Sequence, residues 1–130
     1  MNSLRAALSE RVVIADGAMG TMIQQQQLDE AGYRGQEFAD WASDLKGNND
    51  LLVLTQPELI ADIHRQYLLA GADIIETNTF NATTIAMADY QMAHLSARIN
   101  HAAAALARQV CDEVTANQPE KPRYVAGVLG

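Results

Sequence analysis

Two short clusters hold the side chains of this sequence best suited to chemistry. Asp16-Gly17-Ala18-Met19-Gly20 closes the apolar run Arg11-Val12-Val13-Ile14-Ala15, and Glu76-Thr77-Asn78-Thr79-Phe80 closes Asp73-Ile74-Ile75. A carboxylate beside glycines can take a substrate ammonium or orient a neighbouring group, while the glycines let a backbone N–H approach a small ligand. Thr77, Asn78 and Thr79 offer short hydrogen-bonding side chains, and Phe80 can wall an apolar part of a substrate. The same residues have plainer uses, Asp16 as a helix N-cap and Thr77 to Thr79 as turn formers. Glu76 ends an otherwise apolar strand, so it either faces a polar interior or caps the strand end.

Other chemistries find little support. Gly17-Ala18-Met19-Gly20 lacks the opening G-x-G of the dinucleotide fingerprint, and no strong helix follows it at once. His64, His94 and His101 fall on expected helices, where His94 and His101 share a face without a third ligand, and all three read as surface histidines. Cys111, the only cysteine, lies beside Val110 on a long helix and reads as a packed or half-exposed thiol. One cysteine cannot build a zinc–thiolate site. No phosphate-binding loop, triad spacing or nucleophile elbow is present.

These clusters need elements to position them. Arg11 to Asp16, Asp73 to Thr77 and Tyr124 to Leu129 are short apolar runs that predict strands, the first of them buried on both faces. Thr55-Gln56-Pro57-Glu58 has the form of a capping box, with Pro57 in the first helical turn. It opens a helix with Ile60, Ile63, Tyr67 and Leu68 on one face and Gly71 as its left-handed stop. A weaker helix is predicted over Thr21 to Leu28, a short one over Thr83 to Tyr90, and a long one over Ala93 to Ala116. In the long helix Leu95, Ile99, Ala102, Leu106, Val110 and Val114 recur with the helical period. Between Asp29 and Asn49 runs a polar excursion carrying Tyr33, Phe38 and Trp41, which is expected to dock its aromatics onto a core. Helices alternate with strands, which predicts an α/β fold with a parallel sheet and right-handed crossovers. In such folds the carboxyl ends of strands hold the ligand, which brings Asp16 to Gly20, Glu76 to Phe80 and Gly130 together.

The chain has 130 residues, 48% hydrophobic and 19% charged, the composition of one globular unit. Nine Lys and Arg against sixteen Asp and Glu give a net charge of −7, which opposes binding to nucleic acid. No apolar stretch is long enough to span a bilayer, and no segment reads as a secretory leader. With one thiol and no leader, a cytoplasmic location is expected. Ending on a strand, the chain is expected to be part of a larger fold. Open parallel strand edges predict association with another copy or exchange of elements.

Taken together, Asp16-Gly17-Ala18-Met19-Gly20-Thr21, Arg34-Gly35, Leu45-Lys46-Gly47-Asn48-Asn49-Asp50-Leu51-Leu52, Thr55-Gln56-Pro57-Glu58 and Gly71-Ala72-Asp73-Ile74-Ile75-Glu76-Thr77-Asn78-Thr79-Phe80 resemble the start of the homocysteine methyltransferase module of cobalamin-dependent methionine synthases. The segment from Gly71 to Phe80 is shared with homocysteine S-methyltransferases at large, whereas Lys46 to Asp50 resembles the cobalamin-dependent enzymes more narrowly. Many members have Gly where Ala18 stands, a mild departure.

That resemblance implies a TIM (β/α)8 barrel, of which residues 1–130 are expected to supply the first three β/α units as a homocysteine-binding fragment. It implies that Asp16 and Gly17 help hold the amino acid end of homocysteine and that Thr77, Asn78, Thr79 and Phe80 line its pocket. It also implies a zinc ion on three cysteines of later strands, which lowers the pKa of the substrate thiol, with Cys111 matching none of them. The methyl group would come from methylcobalamin, recharged by methyltetrahydrofolate, and the folate and cobalamin modules would belong to the same polypeptide. No ligand for zinc or cobalamin is expected in this chain, which alone is expected to be inactive. Two other readings stand beside this one. One is a homocysteine S-methyltransferase with a betaine or S-methylmethionine donor, and the other is a non-catalytic α/β module that holds a small ligand with Asp16 and Asn78.

Overall fold

The computed structural model describes residues 3–130. Helices dominate: α1 (Leu4–Glu10), α2 (Met19–Gln24), α3 (Glu30–Arg34), α4 (Leu52–Thr55), α5 (Pro57–Ala70), α6 (Thr84–Ala88) and α7 (Ser96–Asn117). Single 3-10 turns precede α4 at Asn49–Leu51 and α7 at Ala93–Leu95. Strands β1 (Ile74–Glu76) and β2 (Tyr124–Ala126) pair in parallel, with Ile75 opposite Val125. The result is α/β, with a small parallel sheet. No helix among the described residues is long and apolar enough to cross a membrane.

The first expected strand is much reduced. Only Ala15 bridges to Ile74, in parallel, while the Ile14 carbonyl accepts from the N–H groups of Asp73 and Ile74 at 2.8 and 3.1 Å. Nor is this run buried on both faces, since Val12 is 83% exposed and Ile14 55%. Its upstream end is held by a side chain instead of a ladder. The buried Asp73 carboxylate accepts from Arg11 at 2.8 and 3.1 Å and from the Ile14 N–H at 3.0 Å. The Arg11 guanidinium, chiefly through its hydrogen bond, holds this carboxyl below the usual range.

One face of the sheet is covered by α5 and α7. Ala61 and Leu68 of α5, Ile75 of β1, and Ala107, Val110, Cys111 and Val114 of α7 form one apolar cluster. Ala107 lets α7 lie close to the sheet because it has no side chain beyond Cβ, as Ala103 does toward the larger cluster. A larger cluster joins Ile23, Tyr33, Phe38, Leu45, Leu51, Leu52, Ile60, Ile63, Met87, Met92 and Ile99. The excursion therefore does dock its aromatics. Tyr33 and Phe38 are buried, Phe38 meets Trp41 edge-on at 5.6 Å, and the Trp41 indole N–H donates to the Tyr90 carbonyl at 2.8 Å.

Two local expectations are corrected, and one helix is added. Thr55 does not cap α5, because helical backbone continues through it to the end of α4 and the break falls at Gln56 (φ −135°, ψ 55°), the residue Pro57 pushes out of the helical region. The Thr55 hydroxyl is buried without a hydrogen-bond partner, and Gln56 uses its amide to reach the Gly32 carbonyl at 2.9 Å. His64 is not a surface residue: it lies four residues from both Ile60 and Leu68, inside the buried stripe of α5, and is 1% exposed. Burial lowers its pKa to about 4. Finally, Leu4–Glu10 forms a helix capped by the Ser3 side chain, which the sequence reading did not foresee; it buries no residue, so it lacks the apolar stripe that makes helices legible. At the other end of α5, Gly71 takes φ +120° and acts as the expected stop.

Candidate functional site

The carboxyl ends of the parallel segments converge as the alternation of elements requires. Asp16, Gly17, Ala18, Met19, Glu76, Thr77, Asn78, Thr79, Phe80 and Val128 line one cleft of about 270 Å³. All six residues singled out for substrate contact, Asp16, Gly17, Thr77, Asn78, Thr79 and Phe80, therefore surround a single space. Its volume suits a small molecule better than a dinucleotide.

Asp16 is not a helix cap. Helix α2 starts after Ala18 with no side-chain cap, and both Asp16 carboxylate oxygens instead accept from the Glu76 N–H at 3.2 Å. This ties the end of the first segment to the end of β1 and leaves the carboxylate at the cleft. Burial raises its pKa to about 6; the Glu76 N–H pulls the other way, and the charge of Glu76 adds to the rise. Glu76 itself is exposed at the strand end. Ala18 has φ −60° and ψ 102°, an extended geometry open to any residue, so the missing glycine costs the turn nothing. Gly17 sits where an added Cβ would lie 3.4 Å from the Tyr67 ring, and the Tyr67 hydroxyl donates to the Ala18 carbonyl at 3.1 Å.

The Thr77 to Phe80 wall is built by its own polar groups. The Thr77 and Thr79 hydroxyls lie 2.7 Å apart, the Val128 N–H donates to Thr77 at 3.0 Å, and Thr79 donates to the Val128 carbonyl at 2.8 Å. Both threonines are buried. Their side chains thus clasp the segment after β2 to the end of β1. Phe80 is 65% exposed and gives an apolar face to the cleft that Asp16 also lines. A Cβ at Gly130 would collide with the Phe80 carbonyl, so the third segment also passes close to this wall.

Sequence reasoning assigned no role to two neighbours of this wall. Asn49 accepts from the Asn78 side chain through its carbonyl, and Asp50 accepts from the Asn81 N–H, each at 2.8 Å. The only signal in the sequence was the compact Asn48-Asn49-Asp50 run.

The residues present do not form a zinc site. No group of three or more His, Cys, Asp or Glu side chains gathers among the described residues. Cys111 belongs to the cluster on the helix-covered side of the sheet, where its thiol contacts the Tyr124 carbonyl at 3.6 Å and burial lifts its pKa to about 11. A thiol so protonated is a poor metal ligand. What the cleft offers is recognition: a carboxylate for an ammonium, close backbone, and an aromatic wall.

The chain is similar to the homocysteine methyltransferase MmuM of Escherichia coli in its metallated form, with 26% identity and a TM-score of 0.74, and covers 99% of this chain and 41% of that one. The oxidized form of the same protein gives 26% identity and a TM-score of 0.76, with 100% and 41% covered. Its apo form gives 25% identity and a TM-score of 0.63, with 97% and 39% covered. The chain thus spans about 41% of the length of the structures it resembles. The homocysteine S-methyltransferase family matches residues 13–130. With a match over nearly the whole sequence, the chain belongs to the homocysteine S-methyltransferase family.

Proposed function

We propose that this chain forms the homocysteine-binding start of a TIM-barrel methyltransferase, and that the enzyme is a cobalamin-dependent methionine synthase. The observation that carries the reading is the single cleft lined by Asp16, Gly17 and Thr77 to Phe80. With its pKa near 6, Asp16 is mostly ionised at neutral pH and pairs with the ammonium of the amino acid. Gly17 lets the amino acid end lie against the backbone, and Phe80 flanks its aliphatic chain. Transfer forms a carbon–sulfur bond on homocysteine, breaks the donor's bond to its methyl carbon and releases the thiol proton. The residues of this chain bind and orient the amino acid; alone, the chain is expected to carry out no turnover.

The Lys46-Gly47-Asn48-Asn49-Asp50 segment supports methylcobalamin, recharged by methyltetrahydrofolate, as the donor. A second reading, with betaine or S-methylmethionine as donor, draws on the likeness to the Escherichia coli homocysteine methyltransferase. The full-length gene product, supplied with homocysteine and each donor in turn, separates the two. Methionine formed from methylcobalamin and not from the other donors is expected. Methionine formed from betaine or S-methylmethionine without a corrinoid would overturn the cobalamin assignment.

A further inference from the structure

The exposed Phe80 has little packing to hold it, so its position depends on the backbone bonds on either side. Just before it, the Asn78 side chain donates to the Asn49 carbonyl at 2.8 Å, and just after it, the Asn81 N–H donates to Asp50 Oδ2 at 2.8 Å. Asp50 is 4% exposed and, with Asn49, Asn78, Phe80 and Asn81, lines a second cleft of about 400 Å³. Both acceptors stand at the end of the excursion, and that end is itself anchored. The buried Tyr33 hydroxyl donates to Asn49 Oδ1 at 2.8 Å. Leu51, which follows, is fully buried.

The rest of the excursion is organised around one ion pair. The Glu30 carboxylate accepts from Arg34 Nε at 2.8 Å and from the N–H groups of Leu45 and Lys46 at 2.8 to 3.0 Å. The Arg34 guanidinium in turn donates to the carbonyls of Trp41, Ser43 and Ala39 at 2.7, 3.1 and 3.3 Å. A stretch with little regular structure is thereby tied to α3 and delivers Asn49 and Asp50 at fixed positions.

We propose that this segment is a brace for the substrate cleft, and that Asp50 and Asn49 are positioning residues that hold Phe80 against the bound amino acid. The proposal rests on the reading of the Asp16 cleft as the homocysteine site. Neither residue lines the Asp16 cleft; both line the adjoining cleft, which shares Met19, Asn78 and Phe80 with it, and both reach the Asp16 cleft through the 78–81 turn.

The test uses the 130-residue chain with three variants, measuring amide hydrogen exchange at Ala82 and L-homocysteine affinity on the same samples. Ala82 reports the turn because its N–H donates to the Thr79 carbonyl at 3.1 Å. Asp50→Ala is expected to speed exchange at Ala82 about tenfold and to weaken homocysteine about tenfold, with exchange in α7 unchanged. Asp50→Asn keeps an acceptor oxygen and is expected to restore both. Tyr33→Phe, which removes one hydroxyl and spares the fold if Asp50→Ala does not, is expected to give a smaller loss in both. Wild-type values in Asp50→Ala or in Tyr33→Phe would overturn the brace, as would a loss in Asp50→Asn equal to that in Asp50→Ala. Failure of the wild-type chain to bind homocysteine would count against the functional reading instead, and exchange at Ala82 would still decide the brace.

Discussion

Asp16 keeps its charge against its surroundings. Burial lifts its pKa to about 6, partly offset by the Glu76 N–H, so between the ordinary carboxylate range and pH 6 the folded chain holds a proton that the unfolded chain has released. Stability therefore falls as pH rises through that window and levels off above about 6. Asp16→Asn should remove this part of the slope, which urea denaturation at pH 4 and pH 7 would show; an unchanged slope would mean that the carboxylate is not perturbed. Asp16, Gly17 and Thr77 to Phe80 were legible because strand ends converge on ligands and their residue types are unusual beside apolar runs. Asn49 and Asp50 were not, because their partners Asn78 and Asn81 lie 29 and 31 residues away, beyond any local pattern. The polarity of His64 points to the surface, but its four-residue spacing from Ile60 and Leu68 puts it in the buried stripe of α5.

Among the elements, α5 and α7 were readable from periodicity and from Pro57 and Gly71, since these signals are local. The joint between α5 and β2 was not, because it depends on a buried arginine with neutral partners. Arg123 is 4% exposed and donates to the Leu68, Ala72 and Lys121 carbonyls at 2.6, 3.2 and 3.1 Å and to Gln118 Oε1 at 2.8 Å. A cation at these carbonyls adds a donor to each, beside the Gly71 N–H that Leu68 already accepts at 3.1 Å, and answers the negative end of the α5 dipole. Arg123→Met leaves buried oxygens without donors and is expected to cost about 2–4 kcal/mol in urea denaturation. A loss well under ~1 kcal/mol would show that water replaces the guanidinium freely. The first strand was overread for a related reason: its apolar run signals burial, yet Val12 and Ile14 stay exposed and the Asp73 carboxylate, not a ladder partner, takes the Ile14 N–H.

For the whole molecule, the alternation of elements was enough to foresee a parallel α/β fold, whereas the extent of the sheet depends on pairing that no single run encodes. Val12, Ile14, Phe80 and Leu129 remain 83%, 55%, 65% and 95% exposed, a large apolar surface for a chain of this size. Concentration-dependent association is expected in sedimentation, and a stable compact monomer at all concentrations would contradict it. The central claim is that the Asp16 cleft binds homocysteine, and calorimetric titration of this chain with L-homocysteine tests it most directly. Saturable binding at pH 7.5 is expected, weakening as pH falls through about 6, where Asp16 gains a proton, and dropping at least about tenfold in Asp16→Asn. No binding, or equal binding by Asp16→Asn at every pH, would contradict it.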